Sequence, residues 1–295
     1  MEPLVPKLIL VPTDLSEPAA HALRYASALG ERFDAHLLVI YADPFVPPVD
    51  FTASAAGVFQ LSRDVMIDSA REELQRHAEE NIAEDVPFDV RVIVGEPLDS
   101  ILAQVRESGA NLIVMGTHGR TGVRRLLFGS VTEAVMRVAP VPVIAVNPAA
   151  TITAEVKKVL SLMTFTPACR DALLRASALA SDADVPFVLL TNVESPDAHM
   201  GALELMRLER WVPEELAGRA ELKLVSKDED SILQVAADTG ADLIALGVPA
   251  GRNFAESLRG TIAERVVQRS VCPVLTVNAY VAGVVPVEER ELVTA

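Results

Sequence analysis

A chain of 295 residues is longer than one compact domain usually is and divides naturally into two units of about 150 residues each. Half of the residues are hydrophobic but only 4% are aromatic, so the cores must be built from Ala, Val, Leu and Ile, as in sheets covered by helices. The net charge of −15 sets the overall field against nucleic acid and anionic membranes, so a phosphate-bearing ligand needs a local cluster of donors.

From the N-terminus, apolar runs of strand length alternate with segments of helical period. The strand LILVP precedes a predicted helix over Pro18–Phe33, and HLLVIYA precedes one over Leu61–Ala83. After the strand DVRVIVG come a helix over Asp99–Ser108, the strand LIVMG, a helix over Val131–Val138 and the strand PVIAVN. Near-continuous apolar strands in this alternation predict an α/β fold, a five-stranded parallel sheet with helices on both faces. Such sheets bind ligands beyond the carboxyl ends of their strands, where the strand order reverses.

The pattern then repeats. At an offset of 150, ILVPTDLSEPAAHALRYASALG from Ile9 lies against VLSLMTFTPACRDALLRASALAS from Val159. At an offset of 131, SILAQVRESGANLIVMG from Ser100 lies against SILQVAADTGADLIALG from Ser231. The fall from 150 to 131 means that the second unit lacks about 19 residues in its middle, the part corresponding to Pro44–Asp85. The fifth strands, Pro142–Asn147 and Pro273–Asn278, are apolar edges that must be covered, and we expect them to pair so that the two units form a pseudo-dimer within the chain.

Three other features have ordinary readings. Cys169 and Cys272 lie 103 residues apart with no CxxC or histidine spacing, so they are expected to be free, packed thiols rather than a disulfide or a zinc site. Ser270–Val287 is 18 residues without a charge, but Pro273, Asn278, Gly283 and Pro286 interrupt it and its start repeats an earlier strand, so no membrane span is expected. The segment MEPLVPKLIL has no charged n-region followed by an apolar stretch of secretory length, so a cytoplasmic location is expected.

The chemistry concentrates after the fourth strand, in GTHGRTGVRRLLFGSVTEAV. Gly116, Gly119, Gly122 and Gly129 fall within 14 residues, and glycine lets backbone N–H groups line an anion cradle. Arg120, Arg124 and Arg125 lie in the same window with no acidic residue between Gly116 and Val131. Ser130-Val-Thr-Glu133 reads as a capping box, with the Ser130 hydroxyl accepting from the Glu133 N–H, and so marks a helix start that can face an anion. His118 lies between two of the glycines without an acidic or nucleophilic partner and reads as a loop residue, not a catalyst.

The spacing Gly116-x2-Gly119-x9-Gly129-Ser130, with Val11-Pro-Thr-Asp14-Leu-Ser16 at the first strand, resembles the nucleotide-binding pattern of the universal stress protein family. The resemblance implies two tandem Rossmann-like domains of the adenine nucleotide alpha hydrolase-like kind: an ATP-binding module over 1–148, a degenerate copy over 154–279 and a C-terminal tail over 280–295. It implies a regulatory or stress-adaptation role with ATP as ligand, Mg²⁺ accompanying the phosphates, and hydrolysis that is weak at most. A homodimer of the whole chain is compatible with it; partners of nucleic acid or membrane are not expected. Carried over by position, it places Pro12 and Asp14 beside the adenosine and Ile40 or Tyr41 at the adenine. It passes Gly116 and Gly119 beneath the ribose and phosphates and counts Met115 among the nucleotide-binding residues. By the same resemblance Arg120 is the side-chain counter-ion, Ser130, Val131 and Thr132 hold the phosphate tail, and the motif glycine Gly129 belongs to the nucleotide-binding set. No catalytic residue and no protein metal ligand is implied.

In the second unit Thr164 replaces Asp14, the loop begins Gly247-Val-Pro-Ala250-Gly251, and Glu256 puts a negative charge where phosphates would lie, although Gly260-Thr261-Ile-Ala-Glu264 keeps the last glycine and a capping box. An empty or altered site is expected there. Rival readings are a slow ATP hydrolase or phosphotransferase, a scaffold needing no nucleotide, and a flavin- or adenosine-binding subunit. Against turnover, the sequence has no GxxxxGK[ST] loop and no evident base for a γ-phosphate.

Overall fold

The computed structural model describes residues 4–43, 56–117, 129–181, 184–193, 198–226, 228–248 and 261–281. The N-terminal module runs β1 (Leu8–Pro12), α1 (Glu17–Phe33), β2 (His36–Asp43), α2 (Ala56–Asn81), β3 (Phe88–Val94), α3 (Pro97–Ser108), β4 (Leu112–Gly116), α4 (Ser130–Val138) and β5 (Val143–Val146). The C-terminal module repeats it as β6 (Val159–Leu162), α5 (Pro167–Ala178), β7 (Phe187–Val193), α6 (Ala198–Trp211), β8 (Ala220–Ser226), α7 (Glu229–Thr239), β9 (Leu243–Val248), α8 (Ile262–Arg269) and β10 (Val274–Asn278), with a short 3-10 turn over Glu214–Arg219 before β8.

Elements follow the predicted order, and the differences lie at helix ends. α3 begins at Pro97, two residues before the predicted Asp99, because a first-turn proline gives up an N–H that would have had no helical partner anyway. α2 covers Ala56–Asn81 instead of Leu61–Ala83. α6 has 14 residues where α2 has 26, so much of the predicted central deletion is taken from this one helix. The uncharged stretch from Ser270 contains β10, a buried strand, and among the described residues no helix is long and apolar enough to cross a membrane.

The two five-stranded parallel sheets join into one sheet of ten, in the order β3-β2-β1-β4-β5-β10-β9-β6-β7-β8. One core layer lies between the sheet and α1, α2, α5 and α6, the other between the sheet and α3, α4, α7 and α8. Every pairing is parallel except the junction, where β5 and β10 run antiparallel with Ala145 opposite Val274, Ile144 opposite Leu275 and Val143 opposite Thr276. At the 131-residue offset Leu275 is the counterpart of Ile144, so equivalent residues face each other and a pseudo-twofold axis passes between them. The expected fifth-strand pairing is therefore present, and it removes the apolar edge that each module would otherwise expose.

Side chains reinforce the axis. Asn278, 1% exposed, donates from Nδ2 to the carbonyls of Met136 (3.1 Å) and Ala139 (2.9 Å), at the end of α4 in the other module. Its counterpart Asn147 donates to the Gln268 carbonyl at the end of α8. Each Oδ1 accepts from the residue two positions on, Tyr280 N–H and Ala149 N–H respectively, which turns the chain away after the strand. Each module thus caps the last turn of the partner module's helix, where carbonyls lack helical donors.

Replacing Asn278 by Leu should leave the Met136 and Ala139 carbonyls buried without a donor and lower stability by about 2–3 kcal/mol. Asn147→Leu, which loses one such bond, should lose about half as much. Urea unfolding midpoints at unchanged m-value check both, and equal, negligible effects would contradict the capping role.

Candidate functional site

Within the N-terminal module, β1 lies between β2 and β4, so the chain winds outward to both sides of β1 and the order reverses between β1 and β4. A crevice for a ligand is expected beyond these two carboxyl ends. Register brings the predicted residues there: Ile40 pairs with Pro12, and continuing the Leu10–Ile113 pairing puts Pro12 level with Met115. Ile40, Pro12 and Met115 form a row across three strands, with Tyr41, Asp14 and Gly116 just beyond it.

After β1 the backbone turns sharply. Leu15 has φ 64, in the left-handed region that a branched side chain rarely occupies. The turn is held by its polar neighbours: the Leu15 N–H donates to Thr13 Oγ1 (3.0 Å), and the Ser16 N–H and hydroxyl both donate to Asp14 Oδ1 (3.1 and 2.5 Å). Ser16 is in turn the N-cap of α1, accepting from the Ala19 N–H. Thr13 itself continues the β1 ladder by donating its N–H to the Ile40 carbonyl (2.9 Å). Of the two second-strand candidates Ile40 is 1% exposed and its carbonyl is taken, whereas Tyr41 keeps accessible surface.

At the other wall, the Thr132 hydroxyl donates to the Gly116 carbonyl (2.8 Å), and the Gly129 N–H donates to the Thr117 carbonyl (3.0 Å). The two ends of the glycine-rich segment are thereby pinned side by side. A Cβ on Gly129 would lie 3.3 Å from the Thr117 oxygen, tighter than most real Cβ contacts, so glycine eases this closure. Gly119, Arg120, His118, Gly122, Arg124 and Arg125 lie outside the described residues.

The helix start differs from expectation. Gly129, not Ser130, is the N-cap of α4, and no side chain caps it. The Gly129–Thr117 bond brings the helix forward by one residue, and Glu133 is buried in an ion pair with Arg137 (3.7 Å) instead of reaching back. Ser130 is therefore exposed at the first helical position, with Val131 half-buried and Thr132 buried behind it. In the C-terminal module the same Ser/Thr-x-x-Glu pattern does form the cap: Thr261, the counterpart of Ser130, is the N-cap of α8 and accepts from the Glu264 N–H (3.1 Å).

The second module keeps the frame and changes the groups. Phe165, at the position of Leu15, also has positive φ (54), but Met163 replaces Thr13 and Thr164 replaces Asp14. Thr164 and Thr166 hydroxyls lie 3.2 Å apart, and Thr166 caps α5. Gly247, counterpart of Gly116, has the first turn of α5 seated against it: a Cβ there would lie 2.4 Å from the Cys169 nitrogen and 2.7 Å from its Cα. Pro249, Ala250, Gly251, Glu256 and Gly260 lie outside the described residues.

One residue of the first site had no signal of its own in the sequence. His77 of α2 comes within 3.3 Å of Thr13 Oγ1, its Nε2 facing the β1 turn beside Asp14. Its helix reads as a polar, solvated one, and the only local hint is that His77 flanks the buried Leu74 and Ala78. Burial lowers its pKa below the ordinary histidine value, while the carboxylates of Glu80, Asp14 and Glu17 oppose the shift. Neither thiol is poised for chemistry: burial raises the pKa of Cys169, and it pushes Cys272 up to about 11.

A family model described as the universal stress protein family matches residues 6–147 and again 155–278. Universal stress protein MJ0577 of Methanocaldococcus jannaschii is 33% identical over 153 residues, covering 48% of this chain and 94% of the relative. Universal stress protein MJ0531 of the same organism is 33% identical over 143 residues, covering 48% of this chain and 82% of the relative. Among solved structures, that of a universal stress protein from Archaeoglobus fulgidus superposes with a TM-score of 0.65 at 20% identity, over 92% of this chain and 98% of that one, which speaks for the two-module fold alone.

Gly247→Ala should force α5 away from β9, because the atoms in the way are backbone and cannot rotate aside. An overpacking loss of about 1–3 kcal/mol is expected, read as a lowered thermal midpoint; an unchanged midpoint would show that the α5 turn does not sit on this glycine.

Proposed function

The chain belongs to the universal stress protein family, and on that premise we propose that it is an ATP-binding regulatory protein whose nucleotide occupies the N-terminal module. The observation that carries the reading is the contrast between two copies of one frame. At the β1/β4 crevice the first copy offers the Asp14 carboxylate, a glycine-pinned loop mouth and an exposed Ser130 on the first turn of α4. The second offers Thr164 in place of the carboxylate and spends the matching hydroxyl, Thr261, on its helix cap.

The donor set suits an adenine nucleotide. Asp14 can accept from ribose hydroxyls, and the first-turn N–H groups of α4 with the Ser130 hydroxyl can meet phosphate oxygens, where the helix dipole favours negative charge. Thr132 takes part differently, since its hydroxyl is committed to Gly116 and so holds the mouth of the loop. The bound phosphates supply negative charge, and Mg²⁺ would arrive with them, since it is commonly held through substrate phosphates. Turnover that is weak at most is part of the proposal, because the sequence has no GxxxxGK[ST] loop to position a γ-phosphate for transfer. A cytoplasmic location accords with two buried, unbridged thiols. Since the fifth-strand edge is consumed within the chain, any homodimer must use another surface.

With ATP at a hundredfold excess over its Kd, the folded protein should gain about 2.7 kcal/mol, a rise in Tm of roughly 5–10 °C. Asp14→Ala should abolish most of that rise and, because it also removes the acceptor of two Ser16 hydrogen bonds, lower the ligand-free Tm; Thr164→Ala should preserve the rise. Phosphate release by the wild type should stay well below about 1 s⁻¹, the lower end of ordinary kcat values. Faster release, lost in Asp14→Ala, would put the hydrolase reading first.

A further inference from the structure

We propose that His77 is a positioning residue of the nucleotide site: through Thr13 it fixes the β1 turn that presents Asp14, and its protonation weakens nucleotide binding. The inference rests on the ATP-binding reading of the N-terminal module and adds a residue and a regulating variable to it.

The geometry is a relay across three elements. Thr13 Oγ1 accepts from the Leu15 N–H (3.0 Å) and lies 3.3 Å from His77 Nε2. A neutral imidazole protonated on Nδ1 accepts the Thr13 hydroxyl proton, so one buried hydroxyl ties α2 to a turn whose central residue is held at φ 64. The histidine is itself anchored from behind. Asn81 Nδ2 donates to the His77 carbonyl (2.8 Å), Arg24 donates to Asn81 Oδ1 (2.7 Å), and Arg24 also donates to Glu17 Oε1 (2.5 Å) in the first turn of α1.

The second module shows that this brace is not required to make the turn. Phe165 adopts the same left-handed conformation with Met163 in place of Thr13. The counterpart of His77 is Arg207, fixed by the matching buried residues Ala78 and Leu208 and the matching bonds from Ile82 N–H to Ala78 O and from Val212 N–H to Leu208 O. Arg207 lies over the Phe165 ring, 4.0 Å from its centre. The turn survives without the Thr–His pair, whereas the pair and Asp14 are absent together. The relay therefore accompanies the carboxylate and not the fold.

Protonation reverses the polarity of the bond. With a proton on Nε2 the imidazolium becomes a donor, Thr13 Oγ1 accepts twice, and its own hydrogen is left without an acceptor at a position 7% exposed. The new cation faces Glu80 on its own helix, Asp14 on the turn, and Glu17 and Arg24 on α1. Three carboxylates against one guanidinium favour the imidazolium, and the attraction draws Asp14 toward α2, away from ribose hydroxyls.

The test is calorimetric titration of the full chain with ATP from about pH 8 down to about pH 5, the lower end set well beneath the ordinary histidine pKa because burial lowers that of His77. Wild type should bind about tenfold more weakly at the lower pH, one hydrogen bond's worth. His77→Gln, which can still meet the Thr13 hydroxyl, should bind like wild type at the higher pH and lose that difference. The titration of the ATP phosphates is common to both proteins, so the change between them is what is read. His77→Leu and Thr13→Val should each weaken binding about tenfold at the higher pH, and their double variant no further. Full pH dependence retained in His77→Gln, or wild-type affinity in His77→Leu, overturns the inference while leaving ATP binding in place; should His77→Leu fail to fold, the His77→Gln profile alone decides. Wild type that binds no ATP at either pH removes the proposed function and this inference together.

Discussion

The antiparallel pairing of β5 with β10 is the constraint on which the rest of the molecule depends. A parallel five-stranded module built with this strand order ends in an apolar edge, and two copies on one chain can satisfy both edges at once only by meeting about a twofold axis. Because Ile144 faces its own counterpart Leu275, the register is self-complementary, and the asparagines that follow each strand reach across to the other module's helix ends. The antiparallel junction also points the carboxyl ends of the two sets of strands in opposite directions. The two crevices consequently open on opposite edges of the sheet, and each module must supply its own ligand groups.

That arrangement frees the copies to diverge in chemistry while the frame is retained. Both modules keep a residue with positive φ after their first strand, both cap the following helix with the hydroxyl of the next residue, which accepts from the N–H three positions on, and both bury the same helix faces. What differs is the small set of groups beyond the strand ends: a carboxylate against a hydroxyl, a histidine–threonine pair against a methionine and an arginine stacked on Phe165. Function resides in such groups and not in the fold that carries them. Helix α6, shorter than α2, shows where the second copy could lose chain without disturbing the sheet; among the described residues its last turns supply Leu208 and Trp211 to the core.

The capping boxes illustrate how far local pattern reaches. Ser130-x-x-Glu133 and Thr261-x-x-Glu264 are the same signal, yet only Thr261 becomes a cap. In the first module a bond from Gly129 to Thr117 moves the helix start, and a buried Arg137 claims the glutamate. The pattern predicts a helix terminus correctly to within one residue; the choice of cap depends on what the preceding segment and the next turn offer. Tyr25 makes a related point: its ring fills the centre of the core with a hydroxyl that has no partner, and burial raises its pKa, neither of which the helical period around it announces.

By itself the sequence determined the alternation of strands and helices, the duplication, the likeness between the crevice residues Asp14, Gly116 and Gly129 and a known nucleotide pattern, and the need for the fifth strands to be covered. These follow from short-range periodicity, from internal repetition and from residue types whose backbone or hydrogen-bonding preferences act within a few positions. Only the tertiary structure decided that His77 meets Thr13, 64 residues away, that Asn278 caps a helix end through the Ala139 carbonyl, 139 residues before it, and that Gly247 takes the backbone of α5 against its Cα. Such contacts depend on how α2 lies across β1, how the two sheets register and how closely a helix approaches a strand end. Each is fixed by packing of the whole core, a property no local window of residues contains.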